Sequence, residues 1–196
     1  MEIILASSSP RRREILSSLG LRYKVIPPDV NENIFSYEKN PRRLVETLAI
    51  QKALSVLAKI RVRKNTLIFG ADTIVVFRRK IIGKPSSFKD AVRMLAMLSG
   101  SRHKVYTGIA IVAPAVDKEK ITRIYVSSDV SVVKMRHLAG HEIETAARLH
   151  KDKAGAYAVQ EKNDGFVKHI DGDYYNVVGL PVKLFISMLK KASRRK

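Results

Sequence analysis

The chain of 196 residues contains no cysteine and no tryptophan, and only 7% of its residues are aromatic. Without thiols it can form neither disulfides nor thiolate nucleophiles, a composition in keeping with a reducing compartment. No apolar run approaches the roughly 20 residues of a membrane span. Residues 1–6 are too short for the apolar core of a secretory signal. A cytoplasmic protein that does not enter a membrane is therefore expected. Several motifs are missing as well. There is no G-x-x-x-x-G-K-[ST], no G-x-G-x-x-G, no H-E-x-x-H and no nucleophile elbow around a serine, which sets aside the common nucleotide cradles, the zinc proteases and serine hydrolases. His137 and His141 have i, i+4 spacing, but Gly140 weakens a helix between them, and surface groups are expected there rather than zinc ligands. Acidic residues are scarce too: 18 Asp plus Glu stand against 37 Lys plus Arg, a net charge of +19. Polyanions are the natural partners of such a chain, whether nucleic acid or small phosphates. The basic residues are dispersed, and the few aromatics form no stacking platform for bases, so a nucleic-acid partner is not required.

What is present begins with Ile3-Ile4-Leu5-Ala6-Ser7-Ser8-Ser9-Pro10-Arg11-Arg12-Arg13. Residues 3–6 read as a buried strand. Ser9 can cap a helix that opens at Pro10, where no N–H is needed. The free N–H groups and dipole of that helix favour an anion, and guanidinium groups suit phosphate oxygens. Successive helical residues turn by about 100°, so three adjacent arginines cannot all face one ligand. A solvated helix face is the other reading. Leu19 and Gly20 close this helix, and a second strand is expected at 23–26 before Pro27-Pro28. The following loop carries Glu32, either a solvated acid or a ligand.

Asn40-Pro41 opens an amphipathic helix with apolar positions 44, 45, 48, 49, 53, 56 and 57. Lys52 falls within that stripe. It either snorkels its ammonium to water or delivers a cation to an enclosed anion. Residues 66–77 form the most apolar stretch, interrupted by a single carboxylate, Asp72, beside Gly70. A charge there costs several kcal/mol unless it is paired or metal-bound, which points to catalysis or metal binding; capping a turn is the alternative. Ile81-Ile82 reads as a hairpin partner, and Lys84 sits between Gly83 and Pro85. Ser87 with Asp90 resembles a capping box opening a helix that Gly100 ends. Strands are expected at 104–112 and 123–135, a helix at 139–149, strands at 166–170 and 174–178, and a final helix from Pro181. Alternating strands and helices with hairpins predict an α/β fold with a mixed sheet. The breaks at 61–65 and 114–120 could bound a second lobe. The domain is expected to cover 1–191, with a basic tail at 192–196.

The chemistry left after these exclusions uses oxygen ligands and cations: Asp72 and Glu32 for Mg²⁺ or Mn²⁺, with Lys52, Lys84 and the arginines for phosphate. Taken with Ser7-Ser8-Ser9-Pro10-Arg11-Arg12, Gly70-Ala71-Asp72-Thr73, Gly83-Lys84-Pro85, Leu98-Ser99-Gly100, Val105-Tyr106-Thr107-Gly108, Lys153-Ala154-Gly155-Ala156-Tyr157 and Asn176-Val177-Val178-Gly179-Leu180-Pro181, the chain resembles the Maf family of nucleoside triphosphate pyrophosphatases. The match runs from Leu5 to Pro181. The resemblance implies an elongated mixed sheet flanked by helices, with two lobes around a central cleft, similar to the inosine triphosphate pyrophosphatases. It implies metal-assisted hydrolysis between the α and β phosphates in a house-cleaning role, and a homodimer. Carried over by position, it implies catalytic Asp72, Lys52, Lys84 and Glu32, with the metal on Asp72 and Glu32, and substrate binding by Ser7, Ser9, Arg11 and Arg12. Arg11, Thr73 and Gln160 are implied to select the nucleotide, and Thr73 with Gln160 is similar to the branch acting on dTTP and UTP. Glu161 stands where the family commonly has glycine, a departure beside Gln160. The competing expectation is a non-catalytic binder of nucleic acid, or a regulator that binds nucleotides without hydrolysing them.

Overall fold

The computed structural model describes residues 1–31, 38–63, 65–115, 122–149, 155, 157 and 165–194. Its elements are β1 (Glu2–Ala6), α1 (Pro10–Ser18), β2 (Lys24–Val25), α2 (Pro41–Leu57), β3 (Thr66–Phe77), β4 (Lys80–Ile82), α3 (Phe88–Leu98), β5 (Arg102–Ala113), β6 (Arg123–Met135), α4 (Gly140–Leu149), β7 (Val167–Asp171), α5 (Tyr174–Val178) and α6 (Val182–Ser193). The seven strands form one sheet in the order β2-β1-β3-β5-β6-β7, with β4 paired to β3. β1 is parallel to both β2 and β3, whereas β4 is antiparallel to β3 and β7 to β6. The mixed α/β sheet expected from the alternating pattern is the one observed. Among the described residues no helix is long and apolar enough to cross a membrane.

The chain divides into two compact units. The first comprises 1–72, 107–129 and 179–196, and the second 73–106 and 130–178. The divisions fall inside β3, β5 and β6 and after Val178, not at the 61–65 and 114–120 breaks. Strands of 12, 12 and 13 residues are long enough to serve two units.

In the first unit, Ile4, Ala6, Ile68 and Val112 on the strands pack with Ala53 and Val56 of α2. Each fully buried Leu, Val or Ile contributes about 1.5–3 kcal/mol, and the apolar stripe of α2, from Leu44 to Val56, is what seats that helix. The Asn40 side chain accepts from the N–H groups of Arg42 and Arg43 and starts the helix as expected. The rings of Phe69 and Phe185 lie 4.6 Å apart between β3 and α6. That last helix runs on to Ser193 because Ala192 is fully buried, two residues beyond the domain end read from the basic composition.

In the second unit, Leu95 and Leu98 of α3 and Ala146 and Ala147 of α4 close over Val75, Val105, Val133 and Met135. The Ser87 hydroxyl accepts from the Asp90 N–H at 3.1 Å, the first half of the expected capping box. The β3–β4 hairpin turns on Arg78 (φ 48°) and Arg79 (φ 65°), left-handed conformations that a tight hairpin needs and arginine rarely supplies. One expectation fails outright: 174–178 is helical, not a strand. Asp173 Oδ1 accepts from the Tyr175 N–H at 2.8 Å and caps a helical turn. Asn176 then turns inward to donate to Val105 O and Ser131 Oγ, both at 3.0 Å. A side-chain cap has overridden the alternating pattern.

Candidate active site

In the first unit α2 lies unusually close to the sheet, and two glycines allow it. A Cβ on Gly70 would fall 2.2 Å from the Ala49 carbonyl oxygen, and one on Gly108 2.4 Å from the Val45 carbonyl. With β3 and β5 bare at these points, the backbone of α2 rests on the strands. Lys52, on the inward stripe of α2, therefore meets Asp72 of β3, and its Nζ donates to Oδ1 at 2.5 Å. Lys52 is 8% exposed and Asp72 6%. Lys52 does not snorkel to water; its ammonium is buried against the Asp72 carboxylate. Removing one partner of such a buried pair strands the other charge and costs about 3–5 kcal/mol.

The register of β1 brings the serine turn alongside. Ala6 pairs with Gly70, so Ser7 leaves β1 one strand spacing, about 4.8 Å, from the stretch of β3 that leads to Asp72. Ser7 is buried, and its Oγ accepts from the Ser9 N–H at 3.2 Å and from Arg12 Nη1 at 3.0 Å. Arg12 Nε donates to Gly179 O at 2.8 Å. The expected cap is thus redistributed: Ser9 occupies the N-cap position with no side-chain bond to the helix, and the Ser7 hydroxyl orders the turn instead. Arg12 is buried, with these two donors directed at the protein; Arg11 is half-buried and Arg13 exposed. The first turn of α1 still carries its backbone N–H groups at the end that favours anions.

In the second unit, Thr73 is half-buried and Lys84 is exposed in the Gly83–Pro85 loop. Gly83 O accepts from the Gly155 N–H at 3.1 Å, which joins the Gly-Lys-Pro and Ala-Gly-Ala-Tyr motifs. Tyr157, two residues on, meets His103 at 2.6 Å between Oη and Nε2. Burial holds the His103 imidazole down to about 4 and pushes the Tyr157 hydroxyl up. Asp72 and Lys52 are thus brought together, as are Ser7, Ser9 and Arg12. Glu32, Gln160 and Glu161 lie outside the described residues.

Sequence reasoning overlooked the spacing role of Gly70 and Gly108. The signal was a glycine within each strand-forming motif, where strand propensity disfavours it. It also overlooked His103, whose place in an exposed-buried alternation reads as ordinary core.

The described residues include no group of three His, Cys, Asp or Glu that could hold a metal. A hard divalent ion in phosphoryl chemistry takes one or two carboxylates and completes its shell with substrate oxygens and water. The buried Asp72 carboxylate beside a phosphate-suited turn fits that donor set.

The family model described as Maf-like protein matches residues 2–192. A protein of Bacillus cereus (strain AH820) named dTTP/UTP pyrophosphatase is 42% identical over 192 residues, covering 97% of this chain and 95% of that protein. One of the same name from Bacillus anthracis shows the same identity and coverage. Among solved structures, the Ham1 protein of Staphylococcus aureus aligns with 97% of this chain and 99% of its own, at 14% identity and a TM-score of 0.45.

Proposed function

Since the chain belongs to the Maf-like protein family, we propose that it is a nucleoside triphosphate pyrophosphatase that hydrolyses dTTP and UTP to the monophosphate and pyrophosphate. The observation that carries this reading is the buried Lys52 and Asp72 pair set beside the Ser7–Ser9 turn. Water attacks the α phosphorus, the bond to the bridging oxygen of the β phosphate breaks, and pyrophosphate leaves. Asp72, with Glu32, orients that water and takes up its proton. Lys52 stands against the carboxylate, and its charge offsets the negative charge that gathers on the phosphates as the bond breaks. Lys84 and Arg11 add cations to the triphosphate, and the N–H groups at the start of α1 donate to a phosphate oxygen. Arg12 serves by keeping Ser7 in place. A Mg²⁺ or Mn²⁺ ion fits Asp72 with Glu32, and when bound would neutralise phosphate charge and fix the phosphate chain. Thr73, Gln160 and Arg11 select the nucleotide, Gln160 through an amide able to pair with the O and N–H edge of a pyrimidine. The names of the relatives at 42% identity support that base preference.

Pyrophosphate release measured over the common nucleoside triphosphates with Mg²⁺ or Mn²⁺ tests the proposal. dTTP and UTP should give the highest kcat/KM, and Asp72→Asn should lower turnover by about 10²–10⁴-fold. Wild-type turnover in that variant would overturn the role of Asp72. A preference for purine nucleotides would overturn the base assignment alone.

A further inference from the structure

His103 and Tyr157 form a buried titratable pair that the hydrolysis itself does not need. His103 is 2% exposed near the start of β5, and Tyr157 is 5% exposed. Their rings meet edge to face with centroids 5.3 Å apart, and the hydroxyl lies 2.6 Å from Nε2. His103 Nδ1 is buried with no hydrogen-bond partner among the described residues. A pair selected for packing alone would carry no such deficit, because apolar residues of similar shape would fill the space without an unmet polar atom. The pair instead ties Tyr157 through its hydroxyl to the start of β5.

The segment anchored by that hydroxyl leads back to Lys84. Gly155 adopts φ +72°, and a Cβ there would meet Leu98 Cδ1 at 3.2 Å and the Tyr157 ring at 3.3 Å. Its N–H donates to Gly83 O at 3.1 Å. Gly83 follows the end of β4, has no side chain, and has nothing within 4 Å of its Cβ position. The bond from Gly155 is therefore a contact made by the backbone alone. Lys84 is the next residue.

We propose that His103 and Tyr157 are positioning residues for Lys84: the hydroxyl bond holds Tyr157, whose ring backs Gly155, the Gly155 N–H holds the Gly83 carbonyl, and the Lys84 backbone is thereby fixed for its role as a triphosphate ligand. The inference rests on the reading of Lys84 as a triphosphate ligand. A ligand displaced by about 1 Å loses up to 10²-fold in rate, so a remote hydroxyl can matter to turnover.

The test is a double-mutant cycle on the full chain, reading kcat and KM for dTTP well below each variant's melting temperature. Tyr157→Phe should lower kcat/KM about tenfold, and Lys84→Ala should lower it further. The double variant should match Lys84→Ala within about twofold, because a residue that acts through Lys84 has nothing left to position. Losses that multiply, or a Tyr157→Phe enzyme within about twofold of wild type, would overturn the positioning role while leaving Lys84 in place. Wild-type turnover in Lys84→Ala would overturn the reading of Lys84 and the proposal with it. His103→Gln, whose amide can still bond the hydroxyl, should retain more activity than His103→Ala. Equal loss in both would count against the hydroxyl bond as the working contact.

Discussion

Replacing Gly70 by alanine sets a methyl carbon 2.2 Å from the Ala49 carbonyl oxygen, 3.0 Å from the Ala53 nitrogen and 3.3 Å from the Ala49 carbonyl carbon. All three are backbone atoms of α2, so no side chain can swing aside. A carbon and a carbonyl oxygen approach to about 3.3 Å at closest, which leaves a deficit of about 1 Å for the helix to absorb by retreating. Lys52 rides on that helix at 2.5 Å from Asp72, and the retreat opens the pair by a similar amount. Overpacking of this kind costs about 1–3 kcal/mol, a fall in melting temperature of roughly 2–12 °C for a chain of this size. The larger effect falls on turnover, because a displacement of about 1 Å at a reacting centre can cost 10²-fold. The assay is pyrophosphate release from dTTP, run at a temperature where circular dichroism shows each variant folded. Gly140→Ala is the control, since a Cβ there meets nothing within 4 Å, and it should leave rate and melting temperature close to wild type. A Gly70→Ala enzyme that matches Gly140→Ala in both measurements would refute the argument that glycine sets the distance between Lys52 and Asp72.

Two further outcomes follow from buried polar groups. His103 titrates near 6.5 unfolded and is held to about 4 by burial in the native state. Its contribution to stability is therefore complete above pH 6.5 and falls as pH drops from 6.5 towards 4, by about 3 kcal/mol in all. Urea denaturation at pH 7.5 and 4.5, compared with His103→Gln, should show the steeper loss in the wild type; identical pH dependence would refute the assignment. Arg12→Lys cannot reproduce the two directed bonds to Gly179 O and Ser7 Oγ. It should lose about 3 kcal/mol, read as a fall of roughly 6–12 °C in melting temperature. An unchanged melting temperature with a raised KM would make Arg12 a substrate ligand rather than a brace.

Much of this architecture was legible because it is local. Asn40 followed by proline, an apolar stripe at helical spacing and a 12-residue apolar run are short-range signals, and α2 and β3 appear at the bounds those signals indicate. That Lys52 and Asp72 each needed a partner was legible too, since each was a charge in an apolar pattern; that they answer one another was not. Illegible features depend on partners distant in the chain. Nothing near Arg12 in the chain signals that its Nε donates to Gly179, 167 residues on. The helical turn at 174–178 depends on Ser131 and the Val105 carbonyl receiving Asn176. The spacing glycines could be seen, but what approaches them could not. Glu32 and Gln160 remain expectations from the family resemblance, because they lie outside the described residues.

The division of the chain into units bears on how such a protein can be inherited. One unit is assembled from three stretches of sequence and the other from two, with crossings inside β3, β5 and β6. No single cut in the gene releases either unit whole. Recombination cannot swap one unit for a relative's without exchanging several segments at once, and a fusion partner can be accepted at the ends of the chain more readily than between the units. Change in such a protein would then come by point substitution within a unit rather than by exchange of modules.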